Sequence, residues 1–134
     1  MGCGEGLFPN FLGLMFEERK VLGVEIDEDR LKVADRGVKN VSFRWGDATK
    51  FKFNGADCVV LFHLLHHIPS FRDQEKVLKL CYDGLKKKGK LVVVEVDVKS
   101  TFKYLLSWIT DHFLVPVLFE KRLYSPIYFR KRGE

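Results

Sequence analysis

With 134 residues, 46% of them hydrophobic, the chain has material for a single core and is too short to add an accessory domain. A net charge of +5 favours anionic partners, but Lys and Arg are spread along the whole length, and the one dense run, Arg130-Lys131-Arg132, reads as a solvated tail. The three cysteines (Cys3, Cys58, Cys81) are odd in number and far apart, which argues against a disulfide framework or a Cys-x-x-Cys metal site and fits a reducing cytoplasm.

In chain order, Gly2-Cys3-Gly4-Glu5-Gly6 runs straight into an apolar helical pattern over 7–19, with Phe8, Phe11, Leu12, Met15 and Phe16 as its stripe. Val21 to Ile26 is a short β-branched run suited to a buried parallel strand. Asp27 or Asp29 caps the next helix, which turns Leu31 and Ala34 inward and stops at Gly37. Val41 to Trp45 and Asp57 to Phe62 read as further strands. Ser70 opens a helix with Asp73 three residues on in a capping-box arrangement, and Val77, Leu78, Cys81 and Leu85 form its stripe. Lys86, Lys87 and Lys88 complement a helix C-terminus that Gly89 ends. Leu91 to Val96 is the clearest strand, and a helix over 101–113 follows. The apolar stretch Tyr104 to Phe119 is broken by Asp111, His112 and Pro116 and is too short and polar to span a bilayer. The single Gln beside many Lys and Glu leans towards a thermophilic source.

Strands alternating with helices predict a mostly parallel α/β sheet with right-handed crossovers, in which ligands bind beyond the carboxyl ends of the strands. Three loops lie at those ends. The glycine loop has the spacing G-x-G-x-G, not the G-x-G-x-x-G of dinucleotide folds, because Leu7 stands at the last required glycine. Glu25 follows about twenty residues on, where a carboxylate accepts both hydroxyls of a ribose and repels a 2′-phosphate. Gly46-Asp47-Ala48 closes the next strand, offering an acceptor for an exocyclic amine and a small side chain beside a flat base.

Together with Ala56-Asp57-Cys58-Val59-Val60-Leu61-Phe62-His63-Leu64-Leu65-His66-His67-Ile68-Pro69 and Leu85-Lys86-Lys87-Lys88-Gly89-Lys90-Leu91-Val92-Val93-Val94-Glu95, these loops resemble the class I S-adenosylmethionine-dependent methyltransferases over roughly residues 2–97. Lysines replace a Pro and a Gly of the family's "LKPGG" turn. The resemblance implies a Rossmann-like three-layer sandwich in one domain over 1–134. Residues 1–97 form the cofactor-binding core, and a helix and an aromatic, basic segment fill 98–134. It implies S-adenosylmethionine as cofactor, with Gly2, Gly4 and Gly6 facing its methionine part. Glu25 would hold the ribose, Ile26 would pack on the adenine and Asp47 and Ala48 would address the adenine edge. Phe62 or His63 would close over the sulfonium end.

The sequence departs from the family at both ends. The strand that normally precedes the glycine loop is absent, and no antiparallel hairpin is evident after Ser100. The expected sheet is therefore incomplete, and an upstream segment or a second copy in a homo-oligomer would supply the missing strand.

His63, His66 and His67 share one helical face. Zinc is conceivable there, but no fourth protein ligand stands nearby and no metal is expected. His66 and His67 are instead the candidates to line the acceptor mouth, one of them as general base. The Asn/Asp-Pro-Pro-aromatic segment of amino-directed nucleic-acid methyltransferases is absent. A small-molecule, quinone or lipid-like acceptor is therefore expected over RNA or protein. A non-catalytic Rossmann-like interaction module is the rival reading.

Overall fold

A computed structural model describes residues 1–95 and Ile109. Apart from Ile109, the helix expected over 101–113 and the aromatic, basic segment to residue 134 lie outside them. The order is α1 (Leu7–Met15), β1 (Val21–Glu25), α2 (Glu28–Lys32), β2 (Val41–Trp45), β3 (Ala56–Phe62), a 3-10 turn (Leu65–His67), α3 (Phe71–Asp83) and β4 (Leu85–Val94). β1 pairs with β2 in parallel, Val21 beside Val41 through Glu25 beside Trp45. β3 pairs with β4 in parallel, with a register shift between Ala56 and Cys58 and then Cys58 beside Lys90 through Phe62 beside Val94. The parallel α/β architecture expected from the sequence is thus present.

Among the described residues β1 pairs only with β2 and β3 only with β4. The glycine loop ties the two pairs together. The Met1 backbone nitrogen donates to the Val60 carbonyl at 3.1 Å, and Cys3 N–H donates to the Val24 carbonyl at 3.0 Å. The core lies around β3 and α3, where Ala48, Val59, Leu61, Leu65, Ile68, Val77 and Cys81 form one buried cluster.

All three helices differ from the sequence reading among the described residues. α1 ends at Met15 instead of Arg19, since the Glu17, Glu18, Arg19, Lys20 run keeps its charges in water. It also turns another face inward: Pro9, Asn10 and Gly13 are buried, while Phe11 and Met15 are 57% and 60% exposed. The reason is close backbone approach, because a side chain at Gly13 would lie 2.2 Å from Val41 Cγ2. Asn10 then clamps the helix, its amide donating to the Gly6 and Ala34 carbonyls at 2.7 and 2.8 Å.

α3 starts as expected, with the Ser70 hydroxyl accepting from Asp73 N–H and donating to the Asp73 carboxylate. It stops at Gly84, however, not at Gly89. Lys86, Lys87 and Lys88 belong to β4, where Lys86 reaches the exposed Asp57 carboxylate at 2.9 Å. From Gly84 the chain turns to strand pairing, with Ala56 N–H donating to the Gly84 carbonyl and Leu85 beside Ala56, and Phe53 packs over Gly84 so that an added Cβ would sit 2.4 Å from the ring. α2 is likewise shorter than expected, capped by Asp27 and closed at Val33, with Ala34 fully buried just beyond it.

At Gly84 φ is −80°, so alanine is sterically penalised by packing alone. Gly84→Ala is expected to cost about 1–3 kcal/mol in urea unfolding, and Phe53→Leu in the same chain to recover at least half of it. Additive losses would contradict this packing account.

Candidate active site

The glycine loop sits at the carboxyl ends of β1 and β3. Gly2, Gly4 and Gly6 all adopt left-handed backbone, with φ of 66°, 53° and 74°, which side-chain-bearing residues adopt only at a cost. Their surroundings differ. A Cβ at Gly6 would strike Ala34 O at 2.6 Å and Phe43 at 2.8 Å, and one at Gly2 would strike Leu64 at 2.7 Å. At Gly4 the nearest neighbour is the tip of Arg30, at 3.9 Å. Two of the glycines therefore seat the loop, and Gly4 leaves open space over its backbone.

Glu25, the last residue of β1, is 8% exposed and binds this loop. Its Oε2 accepts from Gly4 N–H at 2.7 Å, and its Oε1 accepts from Ile26 and Asp27 N–H at 3.0 and 3.1 Å. A carboxylate offers about four lone-pair positions, so three backbone donors leave capacity for a ligand hydroxyl. Asp27 caps α2 by accepting from Asp29 and Arg30 N–H, as the sequence indicated.

Beside Glu25 lies a shallow recess lined by Ile26, Asp27, Glu28, Asp29 and Trp45. Trp45 ends β2, is 57% exposed, and is held by its indole N–H donating to the Ile26 carbonyl at 2.9 Å. Sequence reasoning passed over Trp45. The signal was a large aromatic at a strand end directly before Gly46-Asp47. Asp47 follows the same strand end, and its Oδ1 accepts from the Thr49 amide and hydroxyl at 2.8 and 2.7 Å. Burial opposes its charge, but the Thr49 bonds and Lys50 hold its carboxyl below the usual range. Ala48 is buried in the core cluster, behind this strand end.

On the other side Phe62 ends β3. It stacks on Phe8 with centroids 5.5 Å apart and meets His63 edge-on at 4.8 Å. His63 is exposed and has φ of 50°, and its N–H donates to the Val94 carbonyl at 2.9 Å. His66 is only 4% exposed, and its Nδ1 lies 2.6 Å from Glu95 Oε2. Glu95 Oε1 accepts from Leu65 N–H at 2.7 Å. Burial again opposes the charge, but the bonds from His66 and the backbone hold the Glu95 carboxyl below its ordinary range. His67 has exposed surface, yet surrounding protein and then His66 lower its pKa to about 4. Glu95 escaped the sequence reading, which placed it inside the strand Leu91 to Val96; only the parallel pairing of β3 and β4 brings it to His66.

The expected residues thus form two groups: Gly2, Gly4, Gly6, Glu25 and Ile26 with Trp45 and Asp47 around β1 and β2, and Phe62, His63, His66 and His67 after β3. A methyltransferase-domain family model matches residues 1–93. The chain belongs to this methyltransferase family. Curated proteins gave no significant match. Solved structures of similar fold include a SAM-dependent methyltransferase of Thermotoga maritima described as a possible histamine N-methyltransferase (25% identity, TM-score 0.69, covering 98% of this chain and 55% of that one). The PH0226 protein of Pyrococcus horikoshii is 29% identical with a TM-score of 0.64, covering 82% and 50%. SAM-bound CalS10, an amino pentose methyltransferase of Micromonospora echinaspora, is 23% identical with a TM-score of 0.63, covering 71% and 40%. The chain spans about half the length of these proteins or less. No helix among the described residues is long and apolar enough to cross a membrane.

Cys3 lies in the glycine loop of this methyltransferase domain, and burial first, then the Glu25 charge, raises its pKa to about 11. Mapped by mass spectrometry in a Cys58→Ser chain, iodoacetamide labelling of Cys3 should rise about tenfold per pH unit between pH 8 and 10. A plateau near pH 8.5 would show that Cys3 is not enclosed in this way.

Proposed function

We propose that the protein transfers a methyl group from S-adenosylmethionine directly, in line, to a small-molecule, quinone or lipid-like acceptor. The observation that carries this reading is the buried Glu25 carboxylate, fixed to the glycine loop at Gly4 and flanked by the Ile26–Trp45 recess. The residues fit the cofactor. Glu25 retains acceptor capacity for the ribose hydroxyls, and Ile26 and the Trp45 indole offer an apolar surface for adenine. The backbone at Gly4 is open to the methionine portion. The acidic residues Asp27, Glu28 and Asp29 around the recess disfavour a phosphorylated ribose.

When bound, S-adenosylmethionine supplies an electrophilic methyl on a sulfonium. The chain's own part is mainly alignment. Phe8 and Phe62 form an apolar wall, and His63, edge-on to Phe62, and the nearby His67 are the exposed residues beside which an acceptor would be oriented. His66 is buried behind them against Glu95, as a fixed support for this loop and not a direct contact. Holding two reactants in line supplies much of such a rate, so an acceptor that is already nucleophilic needs no strong base. The similarity to a possible histamine N-methyltransferase favours a small amine among such acceptors.

Calorimetric titration with S-adenosylhomocysteine tests the reading. Binding is expected in the micromolar range, about −8 kcal/mol. Glu25→Gln should weaken it at least about tenfold, and NADPH should give no saturable heat. A folded chain that gives no saturable heat with S-adenosylhomocysteine would overturn the reading.

A further inference from the structure

Among the described residues, one group of metal-ligating side chains converges in space: His63 after β3, His66 in the 3-10 turn and Glu95 just after β4. One ligand atom from each lies within 4.8 Å of the other two. The spacing of the three histidines alone did not identify this group, because Glu95 joins it from another strand and His67 is not a member. Two imidazoles and a carboxylate are a donor set suited to zinc and its neighbours, and with three protein ligands such sites keep a position open.

We propose that His63, His66 and Glu95 form a binding site for one divalent transition-metal ion of the zinc class. The three ligands differ in how firmly they are held. Glu95 is fixed through Oε1 by the Leu65 N–H, which orients Oε2 towards His66. An outer-shell bond of this kind sets the direction of a ligating carboxylate. His66 is buried and Glu95 half-buried, so this pair forms the protein side of the site. His63 is exposed, and its left-handed backbone, pinned by the bond to Val94 O, sets its ring 6.1 Å from that of His66. The open coordination position therefore faces solvent on the His63 side.

Ligand atoms around tetrahedral zinc are about 3.4 Å apart, given bonds of about 2.0–2.2 Å. His66 Nδ1 and Glu95 Oε2, now 2.6 Å apart, would separate by less than about 1 Å. The ion would take the place of the hydrogen bond between them, and the exposed His63 ring would close the third side. The site lies next to Phe62, where the proposed function places the acceptor, but the inference does not depend on methyl transfer because the metal is read directly.

The experiment is a titration of the untagged, chelator-treated full chain carrying Cys58→Ser with Co²⁺, followed by visible absorption, then displacement by Zn²⁺. One equivalent of Co²⁺ should give intense ligand-field bands characteristic of low coordination number, and one equivalent of Zn²⁺ should abolish them. His63→Ala, which alters an exposed side chain, should weaken binding by about 100-fold. Glu95→Gln, checked for folding by circular dichroism, should do the same. Absence of the bands, or unchanged affinity in His63→Ala, would overturn the site and leave His66 and Glu95 as a hydrogen-bonded pair. Binding of S-adenosylhomocysteine is measured separately, so failure of either reading leaves the other standing.

Discussion

The carboxylate of Glu25 ties the glycine loop to the end of β1, beside the backbone bond from Cys3 to Val24. It sits at the carboxyl end of β1, is buried, and accepts N–H groups from Gly4 on one side and from Ile26 and Asp27 on the other. Hydrogen bonds to an ionised acceptor are the strong ones, and an unpaired buried carboxylate would be costly. The position of the glycine loop, the path of the chain into α2 and the shape of the recess beside Trp45 all follow from keeping that charge satisfied. Structural demand and the proposed function meet at this one residue: the group that holds the loop in place is also the one proposed to accept the ribose hydroxyls.

The glycines divide the remaining work. Gly6 must lack a side chain because Ala34, just beyond α2, and Phe43 of β2 pack against it, and Gly13 because α1 lies directly on Val41. Gly4 has no such neighbour, so space there is available to a ligand. Around this fixed centre, β1–β2 and β3–β4 contribute different chemistry. The first pair presents an acid, an indole and an apolar side chain, whereas the second ends in stacked aromatic rings, histidines and Glu95. The glycine loop bridges them through Val24 and Val60. In the proposed function that bridge separates a cofactor side from an acceptor side.

The strands were legible from sequence because β-branched runs bounded by glycines and charges leave little alternative; Val41 to Trp45 was bounded correctly from pattern alone. Ser70 and Asp73 likewise announced the start of α3 through local capping chemistry. What pattern could not carry was tertiary override. The lysines at 86–88 look like the end of a helix, but pairing with β3, distant in sequence, takes the chain into β4 directly after Gly84. The phenylalanine stripe of α1 looks like a buried face, yet the small residues let the helix approach more closely and so face the sheet. At the site, the contact of Glu25 with the glycine loop was legible by interval, and its role towards a ligand belongs to the proposed function. Trp45 and Glu95 were not legible in this way, because each gains its meaning from a neighbouring parallel strand.

The central claim is that Glu25, the glycine loop and Trp45 form one nucleoside-binding surface. Amide and indole chemical-shift mapping with S-adenosylhomocysteine tests it most directly. The account predicts a contiguous set of shifted resonances at Gly4, Ile26, Asp27 and the Trp45 indole N–H, with α3 and the Lys86–Lys88 region unmoved. Shifts confined to α3 or β4, with the Gly4 and Trp45 signals unchanged, would contradict it.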